Sequence, residues 1–235
     1  MKNLFSILIS LILSCGLAGQ SLSDIITNHP SNLKKGFYKN FHEFKFNNPS
    51  IPFDHKLIPI IKSHSKDKNN QHISWHVDIT KEEAKEIGEI YGFCDGKKVY
   101  VLEEIYITDY INKFKPNTNF EEVLYLGRYA FFETINKVNS WATSPWGGYY
   151  PLEPISIILA IPNIPGGIII QVINMKSGEV FTLNKKRLEA AIIDDNDLVN
   201  DFNSMSNKEK KMLQNQVAIL MKYSEKHQLE TIITE

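Results

Sequence analysis

The stretch GFCDGKKVYV, at residues 92–101, carries the clearest fold signal in this chain. Strand-forming residues flank Asp95-Gly96, and Asp-Gly is a preferred pair for a tight hairpin because both central positions of a type I′ turn need positive φ. The stretch therefore predicts two antiparallel strands, residues 90–94 and 99–102. Cys94 is then a small buried residue on the first strand. A functional role for Asp95 is the alternative.

Working outward, short strand-like segments separated by turn residues continue to residue 183, and the hydrophobic period becomes helical from Asn184. Residues 72–79 alternate, which predicts a strand with Ile73, Trp75 and Val77 on one face and His72, Ser74, His76 and Asp78 on the other. We expect one α+β domain over residues 20–235, with a mostly antiparallel sheet in 20–183 and a helical C-terminal segment in 184–228.

Two short helices are predicted from their caps. Asn40 can cap a helix over residues 41–46, and Thr80 with Glu83 forms a capping-box pattern before Ala84 and Ile87.

Three further elements follow from local patterns. Residues 123–132 predict one strand, with Gly127 as a bulge. The apolar runs 155–161 and 167–173 flank a proline-glycine turn, which predicts a buried hairpin; because residues 155–173 carry no charge, a membrane-inserted hairpin is the alternative. Residues 208–227 predict one long helix with Met212, Val217, Leu220 and Tyr223 facing inward.

The composition argues against several classes of protein. The 235 residues are 43% hydrophobic and 23% charged, which is ordinary for a globular protein. A formal net charge of −1 provides no field to attract nucleic acid or an anionic membrane. We therefore expect no nucleic-acid partner.

The N-terminus predicts export. A short positive start, Met1-Lys2-Asn3, precedes an apolar run over residues 4–13 and then small residues, which is the order of a secretory signal peptide. We place that peptide at residues 1–19, with cleavage after Ala18 or Gly19. The alternative is a bacterial lipobox at residues 12–15, ILSC, in which an acylated Cys15 would anchor the protein to a membrane. The expected location is periplasmic, cell-envelope or secreted.

Several short motifs resemble those of exported proteins of Bacteroidota, some of them lipoproteins. They are KGFYKNFHEF at residues 35–44 with NPSI at 48–51, GFCDG at 92–96 with VYV at 99–101, LGRY at 126–129, and Ser177-Gly178 followed by Leu183, Leu188, Asp194-Asp195, Leu198 and Phe202. The resemblance covers most of the mature chain. It implies export and a shared fold, and it brings neither an assigned activity nor catalytic residues.

No catalytic motif stands out. His72 and His76 would lie about 13 Å apart on a strand at about 3.3 Å per residue, so they do not predict a shared metal ion. Cys94 lies inside a predicted strand, which shields a thiol. The carboxylate pairs are neighbours in sequence and point apart; they are Glu103-Glu104, Glu121-Glu122 and Asp194-Asp195. We predict no metal and no cofactor, and the catalytic residues stay unknown.

The best candidate binding surface is the loop at residues 139–154. Among its glycines and prolines it carries four aromatic residues, Trp141, Trp146, Tyr149 and Tyr150. Their ring faces suit a protein, peptide or glycan partner. Arg128 is a further candidate contact. The alternative is that this loop covers the core.

These observations favour an exported, non-enzymatic binding or cell-envelope accessory protein. The competing predictions are a secreted hydrolase and a membrane-associated accessory protein that uses the apolar 155–173 hairpin. A hydrolase needs a concave pocket with convergent acids, histidines or Cys94, whereas a binding protein needs an exposed aromatic patch.

Overall fold

The structure is a computed structural model that describes residues 32–63, 71–103, 105, 114–135 and 168–227. Its strands are β1 (Gly36–Tyr38), β2 (Leu57–Ser63), β3 (Gln71–Val77), β4 (Gly92–Cys94), β5 (Val99–Leu102), β6 (Phe120–Tyr125), β7 (Tyr129–Ile135), β8 (Ile168–Asn174) and β9 (Val180–Thr182). Its helices are α1 (Phe41–Lys45), α2 (Lys81–Ile87), α3 (Lys185–Ala191), α4 (Asn196–Ser204), α5 (Asn207–Lys211) and α6 (Leu213–Lys226).

The described strands form one antiparallel sheet with the order β1-β4-β5-β6-β7-β8-β9. A separate hairpin, β2–β3, joins this path through β6. Four helices follow the last strand, so the predicted α+β class with a helical C-terminal segment is confirmed. Two short helices also lie earlier in the chain. Asn40 caps α1, and Thr80 and Glu83 form a capping box on α2, as the sequence predicted.

The β4–β5 hairpin is confirmed, but its turn differs from the prediction. The Asp95 backbone N–H donates to the Lys98 carbonyl at 3.1 Å, so Gly96 and Lys97 occupy the centre of the turn. Of these two residues only Gly96 has positive φ, at 95°, whereas the predicted type I′ turn needs positive φ at both central positions. The Asp95 carboxylate accepts the backbone N–H groups of Lys97 and Lys98, each at 2.7 Å. Asp95 therefore stabilises the turn.

Residues 123–132 are two strands and not one. β6 ends at Tyr125, residues 126–128 make a tight turn, and β7 begins at Tyr129 and pairs antiparallel with β6. Gly127 lies in this turn, while the irregular register falls between Val123 and Tyr125. Because both strands are buried on both faces, residues 123–125 and 129–132 are all apolar or aromatic and give no periodic signal at the turn.

The second arm of the predicted 155–173 hairpin is an inner strand of the sheet. β8 pairs with β7 over its whole length and with β9 from Gln171 to Ile173. The first arm, residues 155–161, lies outside the described residues. Within the described part of the chain, no helix has the length and apolarity needed to cross a membrane.

The sheet separates two apolar clusters. The first lies among β1, β4, β5 and β6 and is rich in stacked aromatic rings, including Phe37, Phe53, Phe93, Tyr100 and Phe120. The second lies between β6–β9 and the C-terminal helices, with Phe131, Leu188, Phe202 and Leu220 among its buried members.

The predicted long C-terminal helix is divided at Met212. This residue is extended, with φ −72° and ψ 123°, and 44% exposed, whereas the sequence predicted it to face inward. The Asn215 and Gln216 side-chain amides donate to the Glu209 and Lys210 carbonyls at the end of α5. These bonds satisfy carbonyls that a continuous helix would have used. Val217, Leu220 and Tyr223 are buried, as predicted.

Candidate functional site

The polarity of β3 is inverted in the far half of the β2–β3 hairpin. There the polar side chains turn towards the rest of the protein, whereas near the base Val77 of the apolar set is buried and Asp78 of the polar set is exposed. His72 and Ser74 are buried, whereas Ile73, from the apolar set, is 47% exposed. A buried polar side chain needs a hydrogen-bond partner, so this inversion requires polar groups on the strands beneath.

Glu121 of β6 supplies the central partner. This glutamate is 0% exposed, and its two carboxylate oxygens contact different residues of β3. Oε2 lies 2.7 Å from His72 Nε2, and Oε1 accepts the Ser74 hydroxyl at 2.8 Å. The Lys62 ammonium of β2 lies 3.9 Å from Oε1.

A second buried glutamate, Glu103, continues the network just after β5. Its Oε1 accepts from Lys62 Nζ at 3.0 Å, and its Oε2 accepts from the Asn119 side-chain amide at 2.7 Å. Asn119 Oδ1 in turn hydrogen-bonds with His76 Nε2. We call this set the polar cluster; it comprises Lys62, His72, Ser74, His76, Glu103, Asn119 and Glu121.

Burial governs the electrostatics of the polar cluster. Loss of water raises the pKa of Glu121 above its ordinary value; the contact with His72 and the charge of Lys62 oppose this, and the nearby Glu103 reinforces it. A carboxylate with a raised pKa holds a proton more strongly than usual. The contact with His72 and the charge of Lys62 therefore favour the ionised form of Glu121 against the effect of burial.

The order of contacts differs from that of a serine-hydrolase triad. In a triad a histidine lies between the serine hydroxyl and the acid. Here Glu121 lies between Ser74 and His72, and Ser74 is 0% exposed. All four oxygens of Glu103 and Glu121 have a hydrogen-bond partner. This arrangement suits a network that holds the hairpin in place.

The opposite face of the hairpin carries exposed aliphatic residues. Ile61 is 61% exposed and lies directly across the strand pair from Ile73. Pro59 is exposed beside them and pairs with Trp75, whose ring is half-buried edge-on against Tyr100. We call Pro59, Ile61, Ile73 and Trp75 the apolar patch. Such a grouping is the usual mark of an interaction surface.

Of the binding residues predicted from sequence, only Arg128 falls in the described part of the chain. Trp141, Trp146, Tyr149 and Tyr150, and the alternative lipidation residue Cys15, lie outside it. Arg128 lies in the β6–β7 turn, not within a strand, and its guanidinium stacks 5.5 Å from the centre of the Tyr223 ring on α6. The structure thus places Arg128 against the C-terminal helix, where it makes a cation–π contact.

A second set of ionisable residues lies around the start of α4. The Asp195 carboxylate caps this helix by accepting from the Leu198 backbone N–H at 3.2 Å. It also contacts Lys226 at 2.8 Å and His227 at 3.1 Å. The hydrogen bond from Lys226 is the main cause that lowers the pKa of Asp195 to about 2. These contacts join α4 to the end of α6.

The other candidates from the sequence have ordinary surroundings. Cys94 is buried on β4, as predicted, and burial raises the pKa of its thiol. His72 and His76 contact Glu121 and Asn119 separately. Among the residues that the structure describes, no three histidine, cysteine or acidic side chains are arranged to hold a metal ion.

The convergence of Glu103 and Glu121 was not predicted from the sequence. Carboxylates adjacent in sequence do point apart: Glu121 contacts His72, whereas Glu122 pairs with Lys98 at 2.8 Å. The sequence of β3 did contain a usable signal, because the alternating residues His72, Ser74 and His76 can all form side-chain hydrogen bonds. Glu103 and Glu121, each next to strand-forming residues, were the matching signal.

Comparison with known proteins found no counterpart. No family model, no curated protein and no solved structure matches this chain. The functional argument therefore rests on the residues and contacts described above.

Proposed function

We propose that this chain is an exported, non-enzymatic binding protein of the cell envelope, and that it binds a protein partner through the apolar patch. The observation that carries the proposal is the direct pairing of Ile61 and Ile73 across the hairpin, with both side chains exposed to solvent. Two adjacent exposed isoleucines cost free energy in water and gain it when a partner covers them.

The neighbouring residues support this use of the hairpin. Trp75 and Pro59 extend the patch with rigid side chains that lose little conformational entropy on binding. On the other face, the ionisable groups bind one another, which suits a supporting role better than turnover of a substrate. The aliphatic character of the patch favours a protein surface over a glycan, which is usually bound by exposed aromatic faces.

The envelope location is part of the same proposal, and the N-terminal sequence supports it. A signal peptide over residues 1–19 would release a soluble protein, while processing at Cys15 would attach it to a membrane by lipid. The intact mass of the mature protein, measured separately in the soluble and membrane fractions of its host, distinguishes the two. A mature chain that still carries residues 1–19 would contradict export.

A photo-crosslinking amino acid at position 61 tests the binding proposal in the native host. Ile193 is a matched control, because it is an isoleucine that is 74% exposed and lies between α3 and α4, away from the hairpin. We expect one discrete adduct from position 61 and none from position 193. The captured protein should then bind the purified chain, and the double variant Ile61→Ser/Ile73→Ser should weaken that binding at least tenfold. Equal crosslinking from both positions, or unchanged binding by the double variant, would refute the proposal.

A secreted hydrolase is the second candidate, and the convergence of Glu103, Glu121 and His72 is the observation that favours it. Turnover would require substrate to displace the existing hydrogen bonds of these glutamates. A panel of ester, peptide and glycoside substrates, compared between the wild type and Glu121→Gln, tests this candidate. Hydrolysis by the wild type that is lost in Glu121→Gln would support it over the binding proposal.

A further inference from the structure

We infer that the β2–β3 hairpin is a hinged arm, which opens as a unit when the polar cluster breaks, while the rest of the sheet stays folded. This inference concerns the movement of the surface named above, and its link to binding rests on the proposed function. The opening itself needs no partner and can be measured on the isolated chain.

The backbone attaches the arm weakly. Within the arm, β2 and β3 pair continuously over seven residue pairs, from Leu57↔Val77 to Ser63↔Gln71. Between the arm and the sheet, the described residues form one backbone pair, Trp75↔Phe120. By contrast, β8 is joined to β7 by seven pairs and to β9 by three. Few hydrogen bonds therefore need to break for the arm to separate.

Side chains provide most of the remaining attachment near the far end of the arm. His72 and Ser74 bind Glu121, Lys62 binds Glu103, and His76 binds the Asn119 amide that also reaches Glu103. Each of these contacts crosses from the arm to the segments around β5 and β6. Water can replace such bonds once the arm separates, and the carboxylates then regain their hydration.

The base of the arm is held differently. Val77 is buried in the first apolar cluster, and Leu57 packs against it. The Asp78 backbone N–H donates to the Lys56 carbonyl at 2.9 Å, which closes the two ends of the hairpin together. Apolar packing at one end and a polar cluster towards the other define a hinge at the base.

The arm carries the apolar patch, so its opening changes the position of the binding surface. Ile61 and Ile73 lie beyond the one backbone pair, towards the end that moves. A partner that engages these isoleucines would therefore bind a movable element. If the arm opens, the same movement also uncovers the polar face of β3.

Hydrogen exchange of the full-length chain without a partner tests the inference. A detached two-stranded hairpin is at best marginally stable in water, so amides of the open arm exchange with solvent. Lys62→Met keeps the aliphatic stem and removes the ammonium that contacts Glu103 and Glu121. Lys98→Met is the matched control, because Lys98 pairs with Glu122 on the same strand as Glu121 but outside the polar cluster.

In the wild type we expect the β2–β3 amides to exchange at least tenfold faster than those of β7 and β8. Lys62→Met should accelerate the β2–β3 amides a further tenfold and leave β7 and β8 unchanged, while Lys98→Met should change neither set. Equal exchange in the two regions, or equal effects of the two lysine variants, would overturn the inference. A failed crosslink at position 61 would refute the binding proposal and leave this result standing.

Discussion

The hairpin and the C-terminal helices are attached to the same sheet by opposite means. The helices pack apolar side chains onto β6–β9, and Leu188, Phe202 and Leu220 are all fully or almost fully buried there. The hairpin reaches β5 and β6 through glutamates, histidines, a serine and a lysine. Apolar packing has little directionality and tolerates small shifts, whereas the polar contacts need defined geometry. We therefore expect the helices to unfold with the sheet and the hairpin to separate before it.

The pKa values of the buried carboxylates in the two regions are shifted in opposite directions. Asp195 accepts a backbone N–H and a lysine at a helix start, and its pKa is lowered to about 2. Glu121 is surrounded by sheet, and burial raises its pKa. Ionisation thus stabilises the helical region, while it costs stability at the hairpin as the pH rises above the ordinary pKa of 4.5.

The largest effect is expected from the helical region. Phe202→Ala in α4 should lower the free energy of unfolding by about 3–5 kcal/mol, because it leaves a cavity in the second apolar cluster. Denaturant unfolding followed by circular dichroism should show one transition at lower denaturant. Phe46→Ala, at an exposed ring, is the control and should cost less than about 1 kcal/mol. A separate early transition of the helices would show that they do not unfold with the sheet.

An intermediate effect is expected at the hairpin. Ser74→Ala removes the hydroxyl that donates to Glu121 and should cost about 2 kcal/mol, since hydrogen bonds to charged groups contribute roughly 1.5–3 kcal/mol. Hydrogen exchange should assign the loss mainly to β2 and β3. Ser224→Ala is the buried counterpart on α6, where the hydroxyl accepts one backbone N–H at 3.4 Å, and it should cost less. A uniform loss across all strands in Ser74→Ala would show that the hairpin is not a separate unit.

The smallest effect concerns acid stability. Ionised Asp195 stabilises the fold above its ordinary pKa of 3.8, and this contribution is lost as the pH falls towards about 2. Melting temperatures between pH 6 and pH 2 should therefore fall less steeply in Asp195→Asn than in the wild type. Asp197→Asn is the control, because Asp197 shares the Lys226 contact but its side chain is exposed. Identical slopes for the wild type and Asp195→Asn would contradict this account.

Local signals in the sequence predicted much of the secondary structure. The Asp95-Gly96 turn, the Asn40 cap of α1 and the Thr80–Glu83 capping box each depend on a few neighbouring residues. The α+β class followed from the change of hydrophobic period near Asn184. These features are set by the chain around them, so the sequence was sufficient to predict them.

Features that depend on residues far apart in the chain could not be predicted from such local signals. The inverted polarity of β3 depends on Glu121, which lies 47 residues beyond Ser74 in the chain. The β6–β7 turn was missed because strands buried on both faces have no alternation to interrupt. The polar cluster was missed because Glu103 and Glu121 stand beside apolar residues in the sequence and lie far along the chain from the histidines of β3.

Pro59 also affects whether a strand of another molecule can pair with β2. β2 pairs with β3, and no other described strand covers its second edge, where a strand of another molecule could be added. Proline has no N–H to offer such a strand, and it stands in the middle of this edge beside two exposed isoleucines. Pro59 therefore disfavours the addition of an intermolecular strand at this edge, while the exposed isoleucines beside it stay available for side-chain contacts.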